Sequence, residues 1–219
     1  MVTTLMALLN CERTRLPSME IFTLLLLIAV GLYTLKSSDQ KKRIGLLGRY
    51  LGKQQIEKMM ETLTEGYNRA LNEPDAVRQA QILSLQNTTE LALSVQFNRF
   101  VAEFSNVDAL DARVSKIGFA IPYADKLFPA TTFDLRKALV IHAQGIALSV
   151  NNPLGLNPKS RAFQISAELF LMQHSCHWFC RSEMVASARL LARHKTSYVQ
   201  LVGAVLPETR EAYSALIAP

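Results

Sequence analysis

The chain has 219 residues, three cysteines and a net charge of +6. So few cysteines in so long a chain exclude a disulfide-stapled scaffold, and the length suits one body of ordinary domain size. The charge is uneven: residues 1–35 sum to zero, residues 36–53 set six basic residues against Asp39, and residues 54–219 carry only +1. A nearly neutral body without a groove-reading motif argues against a nucleic-acid partner.

Residues 1–18 contain a short apolar run and a charged turn closed by Pro17, and are expected to be an outer tail. Either Met1 or Met19 can serve as the start. From Ile21 to Leu35 the chain runs fifteen residues without a charge. As a helix these cover about 22 Å of a hydrocarbon core of about 30 Å, and residues 19–38 complete a span because Lys36 can lay its stem along lipid. Two other readings compete. A helix at the centre of a soluble core would need more surrounding chain than this length offers. A cleaved signal would need a small-x-small site where Lys36-Ser37-Ser38 stands. The reading is therefore a single-pass anchor.

Residues 39–53 follow as a basic juxtamembrane segment, in which Lys41, Lys42, Arg43, Arg49 and Lys53 are placed to meet anionic headgroups. Its glycines leave open a flexible linker. Basic residues are retained in the cytoplasm, so the bulk of the chain is expected there and the N-terminus outside.

Residues 54–219 read as an all-α domain. Ile56, Met59, Met60, Leu63 and Tyr67 recur at helical spacing up to about Asn72. One long helix is expected over 75–104, with Leu93, Phe97, Phe100 and Phe104 on one face, and a shorter one over 108–118. Thr132 or Asp134 caps a helix carrying Leu135, Leu139, His142 and Ile146, which ends at Asn151-Asn152-Pro153. Pro158 starts a helix to about Arg181 that is apolar around most of its circumference, the expected centre of the domain. A helix over 182–195 follows, then a stretch over 197–206 that reads as helix or minor strand, and a closing helix after Pro207.

One cluster invites chemistry. His174, His177 and Cys180 stand a turn apart on the central helix, with Cys176 between them, and His142 on a neighbouring helix could complete a set of metal or haem ligands. The spacing matches no zinc motif, and cysteines on packed helices usually behave as small hydrophobes. Buried, hydrogen-bonded side chains and no cofactor are therefore expected, with the metal or haem protein as the alternative. No G-x-S-x-G, H-E-x-x-H or dinucleotide fingerprint occurs. The sequence thus points to a membrane-anchored, non-catalytic scaffold whose partners are anionic lipid and either another protein or a second copy. A reporter fused after Pro219 is expected to behave as cytoplasmic, and neutral residues at Lys41, Lys42 and Arg43 should weaken that preference; periplasmic or lumenal reporter activity would reverse the orientation.

Overall fold

The computed structural model describes the backbone of residues 2–218 and the side chains of residues 19–218. Ten α-helices follow in order among these: α1 (Val2–Leu51), α2 (Ile56–Leu71), α3 (Ala76–Ser84), α4 (Asn87–Phe104), α5 (Ala124–Leu127), α6 (Leu135–Asn151), α7 (Pro158–Cys180), α8 (Glu183–His194), α9 (Tyr198–Ala204) and α10 (Pro207–Ile217). Strands β1 (Arg113–Ser115) and β2 (Thr132–Asp134) form a small antiparallel pair, so the all-α reading holds. The expected tail over 1–18 lies outside the residues whose side chains are described, and the backbone of 2–18 is drawn as part of α1.

Helix α1 is long and apolar enough from Met19 onward to cross a membrane, and this part buries none of its apolar window in the body. Leu24, Leu27 and Tyr33 are 58, 64 and 71% exposed, which removes the reading as a core helix. A continuous sleeve of exposed leucines needs an apolar surrounding that water does not provide. Beyond Ser38 the same helix enters the body. Gln40 and Leu47 are buried, and Tyr50 meets Phe104 edge to face at 5.4 Å. The glycine-containing stretch is therefore packed helix up to Leu51, not a flexible linker.

Helix α7 is the centre, as its composition requires. Residues on every side of it are buried, among them Ile165, Leu169, Leu171, Met172, Cys176 and Phe179. It packs against α1, α2, α3, α6, α8, α9 and β1. Asn157 caps its first turn through Oδ1, which accepts from Ser160 N at 2.9 Å, and Pro158 fills the N1 position where no N–H is needed. Asp134 caps α6 in the same way.

Two expectations need correction, and one open alternative is decided. The helix over 75–104 is broken at Leu85-Gln86 into α3 and α4. The bend lets α3 fold back on α2, with Gln79 donating to the Ala70 carbonyl at 3.0 Å. Gln86 fills a notch at Gly66, where any side chain would lie within 2.6 Å of it. The helix over 108–118 does not form: Asp108 caps a turn by accepting from Leu110 N, and β1 follows, with buried Val114 opposite buried Phe133. Trp178 Nε1 donates to the Ser115 carbonyl at 2.8 Å, tying the strand pair to α7. The stretch over 197–206, open between helix and minor strand, forms α9, started by a capping box between Ser197 and Gln200.

A buried polar triad fixes how α2, α4 and α7 dock. Glu90 is 3% exposed; its carboxylate accepts from Tyr67 at 2.6 Å and from Arg161, whose guanidinium also donates to the Val150 carbonyl at 3.0 Å. Removing one partner of such a pair leaves an unsatisfied charge in the interior. Arg161→Ala is thus expected to lower stability by about 3–5 kcal/mol in denaturant titrations of the full chain in detergent, and Glu90→Gln in the same background should recover part of the loss.

Candidate functional site

The five basic residues assigned to the membrane surface do not act alike. Arg43 is turned inward: Nη1 donates to the Arg113 carbonyl at 2.8 Å, Nε to Asp39 at 3.3 Å, and the guanidinium lies over the Phe179 ring at 5.2 Å. Its Nη2 approaches Asp125 Oδ1 at 2.6 Å, an ion-pair contact without hydrogen-bond alignment. Lys42 pairs with Asp111 at 2.8 Å and Lys53 with Glu103 at 3.5 Å, both on the surface, where such pairs contribute little. Lys41 and Arg49 are exposed and form no ion pair among the described residues.

The histidines and cysteines of the central helix separate. His142, fully buried on α6, places Nε2 2.9 Å from Ser175 Oγ, and that hydroxyl lies 3.2 Å from both the Leu171 carbonyl and the Tyr213 hydroxyl. A histidine beside a serine has the makings of a base and nucleophile, but neither side chain reaches solvent, so a substrate has no approach. His174 sets Nε2 3.0 Å from Ser187 Oγ and stacks on Tyr198 with ring centroids 4.4 Å apart. Cys176 is buried against Met172, sulfur to sulfur 3.8 Å, and Cys180 is half-buried. Burial keeps both thiols protonated, raising Cys180 to about 11 and Cys176 further. Among the described residues no three His, Cys, Asp or Glu side chains converge where one metal ion could sit.

His177, together with His174, lines a cleft of about 340 Å³ between α7 and α8, whose walls also include Phe170, Gln173, Arg189, Arg193 and His194. Sequence reading grouped His177 with Cys180, as a buried side chain or in the alternative a ligand, and did not bring it beside the residues of α8. Their meeting depends on the antiparallel docking of α8 on α7, which no local pattern announces.

A carboxylate missed by sequence reading lies at the heart of the body. Glu168, on α7, is fully buried; Oε1 accepts from Leu206 N at 2.9 Å, and the side chain fills the space left by Gly145 on α6. A Cβ at Gly145 would lie 2.3 Å from both Glu168 Oε2 and Thr209 Oγ1. The signal was present in retrospect as a single acid inside an apolar run and a glycine inside a helix. Compared with protein-family models, curated proteins and solved structures, the chain shows no match.

These buried groups set opposite pH dependences. Burial raises Glu168 from its ordinary 4.5 to about 7, so its contribution to stability is complete below 4.5 and lost as pH rises through 7. Burial lowers His142 to about 3 and His174 to about 4, so theirs is present above 6.5 and lost as pH falls toward those values. Glu168→Gln keeps the shape and the acceptor for Leu206 N while removing the ionisation. Its melting temperature relative to the unmodified chain should therefore rise between pH 5 and pH 8.5, by an amount corresponding to on the order of 3 kcal/mol. A difference independent of pH would show that Glu168 is not buried as an acid.

Proposed function

We propose that the protein is a membrane-mounted, non-catalytic scaffold: a single span holds a helical body at the cytoplasmic face, where the body binds another protein or a second copy. The observation that carries this reading is the continuity of α1, whose apolar, uncovered part passes without a break into the part clamped by Arg43. A flexible tether lets a domain search a volume, whereas a clamped helix fixes its height and direction and so presents one face consistently. Apolar side chains remain exposed on two helices packed against each other, Leu91 and Val95 on α4 and Val140 and Leu148 on α6. The His142–Ser175 pair of the interior is sealed from solvent, which favours binding over chemistry.

The test uses the full chain in its membrane. It should resist extraction by alkaline carbonate, and Val95→Cys or Leu148→Cys should give a discrete cross-linked species with a short bifunctional reagent. Diffuse or absent products at both positions would remove the scaffold reading. Metal or haem close to stoichiometric in the purified chain, lost on replacing His174 and His177, would put the cofactor protein in its place.

A further inference from the structure

The cleft between α7 and α8 gathers positive charge that no described side chain neutralises. Arg189 and Arg193 stand one turn apart on α8, both exposed, and neither forms an ion pair among the described residues. Opposite them on α7 is His177, lowered to about 4 first by burial and then by Arg189, Arg193 and His194. The two guanidinium groups thus act with burial to hold His177 neutral, and no carboxylate lines the cleft to offset their charge. Compensation of the helix dipole accounts for Arg193 and His194 in the last turn of α8. It does not account for Arg189, further back on the helix, or for His177 on the facing one.

The walls hold their groups in place. The His194 ring stacks on Phe170 with centroids 3.7 Å apart and planes 25° apart, and its Nε2 lies 3.3 Å from Gln173 Oε1. His174, bound to Ser187, closes the back of the cleft. Two guanidinium groups on one helix face offer planar forks of N–H donors, the geometry that suits phosphoryl oxygens.

We propose that this cleft binds a phosphate monoester, with Arg189 and Arg193 on the phosphoryl oxygens and His177 as a ring N–H donor. The volume of about 340 Å³ lies at the lower end of small-molecule pockets and leaves room beside the phosphoryl group for an organic part resting on Phe170. The same group is presented by a soluble ester and by a phosphorylated lipid headgroup. The site requires neither the span nor a protein partner, so it is independent of the scaffold reading.

The full chain in detergent, titrated calorimetrically with inorganic phosphate, glycerol phosphate and a short-chain phosphoinositide, tests the assignment. Saturable binding of glycerol phosphate identifies a soluble ester, and binding of the phosphoinositide alone identifies a headgroup; either supports the site. The Arg189→Ala/Arg193→Ala variant should then bind at least roughly tenfold more weakly, with its ligand-free melting temperature unchanged because both side chains are exposed. Absence of saturable binding by either ester, or affinity undiminished in the double variant, overturns the proposal.

Discussion

The polar contacts between the body and the helix that carries it centre on one guanidinium. Arg43 reaches from α1 to a strand carbonyl at Arg113, to the carboxylate of Asp125 in α5 and to the ring of Phe179 in α7, while Asp39 holds its stem from one turn earlier. Four elements far apart in sequence meet on that group, and it is 14% exposed. A charge so placed is costly unless every partner is present, so the contact favours one arrangement of α1 against the body over all others. The irregular stretch between α4 and α6 depends on it as well: Tyr123 N donates to Asp39 at 3.4 Å, and Lys42 reaches Asp111. Without α1 this stretch would lose its principal polar attachments.

The interior repeats the device on a smaller scale. Arg161 with Glu90, His142 with Ser175, and Glu168 with Leu206 N each join helices that apolar packing alone would let slide. Leucine and phenylalanine faces supply most of the driving force for burial but tolerate shifts in register, whereas a buried carboxylate tolerates very few. The placement of α10 illustrates this, since Leu206 N, the residue before its first turn, is the donor that Glu168 requires.

Much of this architecture was legible from local pattern. The uncharged run of α1, the three-and-four spacing of α2, the cap of α6 offered as Thr132 or Asp134, the start of α7 at Pro158 and its apolar circumference all act within one element. What escaped depends on other elements. The bend at Leu85-Gln86 interrupts no periodicity and is visible only through Gly66, and the strands are three residues each, too short for alternation to declare itself. The candidate residues were legible by type but not by company. His174, His177 and Cys180 share a helix, yet their neighbours are Ser187 for the first, the arginines of α8 for the second and the packed core for the third.

The unbroken course of α1 makes the body's azimuth a property of residue count. Each residue in an α-helix advances about 1.5 Å and turns about 100°. One residue added between Leu35 and Asp39 would therefore swing the body by more than a quarter of a revolution about the axis of the apolar part of α1, while seven would return it to within about 20° of its starting direction and move it about 10 Å along that axis. In such an arrangement the helical phase between the apolar part of α1 and the clamp, as much as the chemistry of any surface residue, determines which way each side of the body is turned.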